Sequence, residues 1–180
     1  MSWVQLKIIM TVTNIFPRKE KVLTEDFVNF NNFFPIATVE MDEGGRIVPI
    51  HIIYTFFEGS NADKEYFSEG EYGGNFSFEI IGNLCQPTFK KDALKINDDY
   101  LEFLNEAMEK YRSADRWHAQ LNFLIKPEWW QGDDTPITDT GEPLKFICQL
   151  DLAEIVDDDC RMFIFYNNKN NKIRNVYQRD

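Results

Sequence analysis

One window of helical periodicity stands alone in a chain otherwise patterned for strands, and that contrast limits the fold more than any other feature. Between Asp98 and Ser113, the residues Tyr100, Leu101, Leu104, Ala107, Met108 and Tyr111 recur at helical intervals. That spacing gathers apolar side chains on one side of an α-helix. Asn97 or Asp98 can cap its start, and acids crowd the first turn, where the helix dipole favours negative charge. Elsewhere the apolar residues alternate or run together over short stretches. Val4, Leu6, Ile8, Met10 and Val12 share one face of a predicted half-buried strand within residues 3–16, ending near Pro17. Residues 36–41 and 47–57 predict two strands joined by the hairpin turn Asp42-Glu43-Gly44-Gly45. Further strands are expected at 75–81, 119–125, 144–150, 162–166 and 173–177. Residues 58–74 and 126–143 read as loops, residues 82–96 as irregular, and Thr24-Glu25-Asp26 can cap a second, short helix through Phe33.

Many strands with one main helix predict an α+β fold with a largely antiparallel sheet. A length of 180 residues suits a single domain, 1–180, with a full core. Sixteen Phe, seven Tyr and four Trp reinforce the sheet, because aromatic rings bury large areas and favour strands.

Composition narrows function by exclusion. A formal net charge of −11 opposes nucleic-acid binding, which needs a basic footprint, and suits a basic protein partner instead. No stretch approaches the roughly 20 apolar residues of a membrane-spanning helix. The first residues lack the basic-then-apolar pattern of a secretory leader. Cys85, Cys148 and Cys160 are odd in number and widely spaced, which argues for a reducing compartment, the cytoplasm. No cofactor motif is present. Gly44-Gly45 and Gly73-Gly74 are isolated pairs rather than a phosphate loop. The two histidines, His51 and His118, and the scattered cysteines form no zinc pattern. A thiol–imidazole pair in space stays open, although Cys148 and His51 sit in apolar runs that read as core.

The acidity is concentrated. Ten acids against the one base Lys145 occupy 128–159, and the tail then reverses sign with Arg161, Lys169, Lys172, Arg174 and Arg179. A solvated acidic loop paired with an adjacent basic strand accounts for this pattern. Within it lies Lys126-Pro127-Glu128-Trp129-Trp130-Gln131-Gly132-Asp133-Asp134. Adjacent residues on extended chain point to opposite sides. Either both rings pack inward, or Trp129 anchors the loop while Trp130 faces outward as a binding hot spot ringed by carboxylates.

Pro127-x-Trp129-Trp130-Gln131, then Phe146-Ile147-Cys148-Gln149-Leu150-Asp151, the aromatic run Met162–Tyr166 and the ending Val176-Tyr177-Gln178-Arg179-Asp180 resemble the YwqG-like family of bacterial proteins. The likeness covers about the last third of the chain, and Asp159-Cys160 stands where that family usually has a turn glycine. The resemblance implies a bent antiparallel sheet in an α+β fold and no particular reaction. It also implies that Trp129, Gln131, Gln149 and Asp151 are framework side chains at strand ends, or else line a polar cleft. The expected function is a non-enzymatic cytoplasmic binding protein, in particular an immunity protein that occludes a basic surface of a bacterial toxin. Trp130, Asp133, Asp134, Asp157, Asp158 and Asp159 are the expected contacts. The alternative is an enzyme or small-ligand-binding protein with a cleft near Trp129, Gln149 and Asp151. No metal or cofactor is expected on either reading.

Overall fold

The computed structural model describes residues 10–113, 121–153 and 159–179. It is an α+β fold in which, among the described residues, the strands of both sheets pair antiparallel. Strands β1 (Met10–Ile15), β2 (Phe33–Glu43) and β3 (Arg46–Thr55) form a three-stranded sheet in the order β1-β2-β3. Gly44 and Gly45 both take positive φ, at 64° and 91°, as a tight two-residue hairpin loop between Glu43 and Arg46 requires. The Asp42 carboxylate accepts the Gly45 N–H at 2.7 Å and closes that turn.

A six-stranded sheet holds the remainder: β4 (Asn75–Ile81), β5 (Leu84–Pro87), β6 (Leu121–Asn122), β7 (Lys145–Asp151), β8 (Cys160–Asn167) and β9 (Lys172–Arg179), in the order β5-β4-β9-β8-β7-β6. The last strand thus lies inside the sheet, between β4 and β8. The two sheets share one hydrophobic core. Phe33 of β2 meets Phe78 of β4 with ring centroids 6.2 Å apart, and Phe76 packs edge-on against Tyr177 at 5.6 Å. Two hydrogen bonds reinforce the junction: the Thr55 N–H donates to the Tyr177 hydroxyl at 3.1 Å, and the Asn175 amide donates to the Ile53 carbonyl at 3.3 Å.

Helix α1 spans Asp98–Ser113 and buries Leu104, Met108 and Tyr111. Tyr111 also meets Phe16 edge-on at 5.7 Å. Phe16 adopts a left-handed φ of 46°, unusual for a bulky residue. Its N–H bond to the Ile36 carbonyl at 2.9 Å and the Tyr111 contact hold it there.

The structure departs from the sequence pattern in three places. The expected helix through Phe33 is a series of turns, with i→i+3 bonds from the Phe27 N–H to Thr24 and from the Phe30 N–H to Phe27. Thr24 hydrogen-bonds Gln86 at 3.3 Å instead of capping, and the Lys19 ammonium takes the Phe30 carbonyl at 2.7 Å. Tertiary partners therefore hold the backbone groups that a helix would use. Within 82–96, β5 forms a tight hairpin with β4 through Gly82-Asn83, where Gly82 supplies a φ of 63°. The strand expected at 119–125 reduces, among the described residues, to Leu121–Asn122, and Ile125 is 93% exposed.

Candidate functional site

One face of the six-stranded sheet packs on the shared core, and the loop 126–143 lies against the other. Outward-facing Phe163 and Phe165 of β8 and Val176 of β9 form a separate apolar cluster with Trp129, Leu144 and Phe146. Trp129 sits 4.2 Å from Phe163 and stacks on Phe165 at 6.0 Å, centroid to centroid, so the loop is anchored by an aromatic ring from above.

Two buried glutamines fasten the backbone on either side of that anchor. Gln149, 1% exposed, accepts the Glu128 N–H at 2.9 Å and donates to the Glu128 carboxylate at 3.3 Å. Gln178, 2% exposed, accepts the N–H groups of Trp130 and Gln131 at 2.9 and 3.3 Å. Its amide nitrogen donates to the Gly132 carbonyl at 2.9 Å and to Asp134 at 2.7 Å. Irregular chain over a sheet has backbone donors that no ladder satisfies, and side chains must supply the partners. The Gln131 amide in turn donates to the Arg179 carbonyl.

Strand register explains the convergence. Asp151, Arg161 and Gln178 form one cross-strand row, and Gln149, Phe163 and Val176 form the next. Arg161 donates to the Glu128 carbonyl at 3.0 Å, lies 3.8 Å from the Asp151 carboxylate, and places its guanidinium 4.4 Å from the Trp130 ring centroid. Asp151 also accepts the Ala153 N–H at 3.1 Å. Trp130 is 37% exposed, so one part of its ring meets Arg161 and the rest meets solvent.

Of the candidate contact acids, Asp133 is exposed and caps the Thr135 N–H at 2.9 Å. Bonds from Thr135, with a smaller one from the Trp129 side chain, hold its carboxyl below the ordinary carboxylate range. Asp134 is tied to Gln178, and Asp159 is exposed. Asp157, Asp158 and His118 lie outside the described residues. Trp129, Trp130, Gln131, Gln149, Asp151 and Asp134 are thus brought together, while Asp133 sits at the rim. Glu128, Arg161 and Gln178 complete the assembly and were not singled out by sequence. Period-two spacing was the signal for Arg161 and Gln178: Arg161-Phe163-Phe165 and Arg174-Val176-Gln178 each share one strand face.

Groups that could act as nucleophiles lie elsewhere, inside the core. Cys85, Cys148 and Cys160 are buried and none is in a disulfide, and burial pushes the thiols of the first two far above their ordinary pKa. His51 engages Thr38 at 3.0 Å through Nδ1 and the Asn83 carbonyl at 2.8 Å through Nε2, while burial lowers its pKa. With Nε2 donating to that carbonyl, Nδ1 accepts from the threonine hydroxyl. Among the described residues no three His, Cys, Asp or Glu side chains converge to hold a metal ion, and no helix is long and apolar enough to cross a membrane. Comparison with protein-family models, curated proteins and solved structures finds no match to this chain.

Proposed function

We propose that this protein is a non-enzymatic binding protein that occludes a basic surface on a protein partner, as an immunity protein does to a bacterial toxin. One observation carries the reading: an irregular loop is fastened by two buried glutamines and an aromatic anchor, and it holds Trp130 and Asp133 at the surface. A loop fixed before binding loses little freedom on association. A partly exposed tryptophan among carboxylates suits a cationic surface. Asp159 extends the acidic surface, and Asp157 and Asp158 precede it in sequence. Arg161 fixes the Trp130 ring and leaves the remaining exposed part of the indole for the partner. The strong acidity favours a protein partner over nucleic acid, and three cysteines outside any disulfide fit a reducing compartment such as the cytoplasm.

The test is site-specific photo-crosslinking from position 130 in the native host, followed by affinity measurement with the captured protein. A basic partner is expected, bound more weakly as salt rises. Trp130→Ala is expected to weaken it by about tenfold or more. Asp133→Asn retains an oxygen that can cap Thr135 and removes the charge, so it isolates the electrostatic part. A partner that crosslinks from position 130 but is acidic and insensitive to salt sinks the proposal.

A further inference from the structure

A cleft that shares no residue with the tryptophan loop opens where the chain leaving β1, the start of β2 and helix α1 meet. Its volume is about 360 Å³, within the size range of small-molecule sites. Phe16, Pro17 and Pro35 give it apolar walls, while Arg18, Lys19, Asn105 and Arg112 supply its polar groups. Three cations thus face one space, and no carboxylate joins them among the described lining residues, in a chain whose net charge is −11. Like charges gathered in this way repel, and an anion bound between them relieves the repulsion.

Each polar group keeps capacity for a ligand. Arg18 and Asn105 are exposed, and neither side chain has a partner among the described residues. Lys19 is partly buried and donates to the Phe30 carbonyl at 2.7 Å. That neutral acceptor fixes the ammonium but leaves its charge and its other N–H groups unused. Burial lowers the Lys19 pKa, Glu20 opposes the shift, and the charge of Arg112 lowers it further. Arg112 lies 3.9 Å from the Glu109 carboxylate, beyond hydrogen-bond length, and 5.9 Å from the Phe16 ring centroid. Its guanidinium is positioned by these contacts while its N–H groups remain for a closer acceptor. We propose that this cleft binds a small phosphomonoester, its phosphate among Arg18, Lys19 and Arg112 with Asn105 at the edge, and its organic part against Phe16, Pro17 and Pro35. A phosphate brings about two negative charges and several terminal oxygens to the three cations. A carboxylate would leave more of the positive charge uncompensated.

The experiment titrates the intact protein with phenyl phosphate, inorganic phosphate and phenol at constant ionic strength, following backbone amide shifts by NMR. Saturable shifts are expected at Arg18, Lys19, Asn105 and Arg112, with phenyl phosphate bound at least about tenfold more tightly than phenol and more tightly than inorganic phosphate. Arg18→Gln should weaken phenyl phosphate by about tenfold and leave the melting temperature in place, because that exposed side chain bonds nothing else among the described residues. An affinity that this variant leaves unchanged overturns the site. Phenol bound as tightly as phenyl phosphate overturns the charge assignment without recourse to any variant. Inorganic phosphate bound as tightly as phenyl phosphate overturns the choice of an ester over the free anion. Shifts centred elsewhere, or none below about 10 mM, overturn the cleft itself. None of these outcomes bears on whether Trp130 meets a protein partner, so the two proposals fail separately.

Discussion

The two faces of the six-stranded sheet are covered by different chemistry. The inner face meets a second sheet through rings and aliphatic side chains, and few polar groups intervene. The outer face has a short apolar row, Phe163, Phe165 and Val176, roofed by a loop without regular structure. A sheet can cover another sheet while its own ladder satisfies its backbone. A loop cannot, so the outer face requires Gln149 and Gln178 where the inner face relies mainly on shape, with the bonds of Asn175 and the Tyr177 hydroxyl as its polar ties. The inner face is therefore expected to hold the fold, and the outer face to hold a surface in position.

Phe76→Ala tests the inner half and has the largest expected effect. The ring is fully buried against Phe57, Phe89 and Tyr177, and its loss should cost about 3–5 kcal/mol by urea unfolding. The same measurement on Trp129→Ala should give about 2–3 kcal/mol, because that ring is only partly buried over a three-residue cluster. Limited proteolysis should then cut within 126–143 before the protein unfolds. Equal losses for the two variants would erase the distinction between a core face and a presenting face.

Gln178→Leu sharpens the contrast from the polar side. It leaves the N–H groups of Trp130 and Gln131 and the Gly132 carbonyl without their partner. A loss of about 1–3 kcal/mol is expected, together with faster amide exchange at residues 130 and 131. Exchange that accelerates throughout β9 instead would mean that the glutamine supports the sheet rather than the loop.

The division between faces also explains what sequence revealed. Alternation and the 98–113 stripe are local patterns, and they mark strands and helix alike wherever neighbouring residues set the structure. β5 escaped because Pro87 and nearby lysines obscure a four-residue strand whose pairing depends on the Gly82-Asn83 turn. The missing helix near Phe30 has the opposite cause, since a locally plausible cap is outcompeted by distant partners. The site was half legible. Tryptophans and acids stand out by type and position. Gln178, however, meets its loop from 44 to 48 residues away, and Arg161 finds Trp130 only after β8 pairs with β7 and β9. Such contacts are set by register, which composition does not encode.

The smallest effect lies where the two sheets meet at their rim. Glu43, at the end of β2, pairs with Lys145 of β7 and accepts from Asn168. The Lys145 bond is the main cause that holds its carboxyl below the ordinary glutamate value, with burial opposing. A carboxyl depressed in the folded state contributes stability that is fully present above its unfolded pKa, about 4.3. That contribution fades as pH falls through the folded value. Glu43→Gln should therefore cost about 0.5–1 kcal/mol at pH 7. The gap to the unaltered protein should narrow below about pH 4.3, where the unfolded chain takes up its proton first. A gap that stays constant with pH would show that the Glu43 charge contributes nothing and that the cost comes from lost hydrogen-bond geometry, leaving apolar packing as the dominant tie between the sheets.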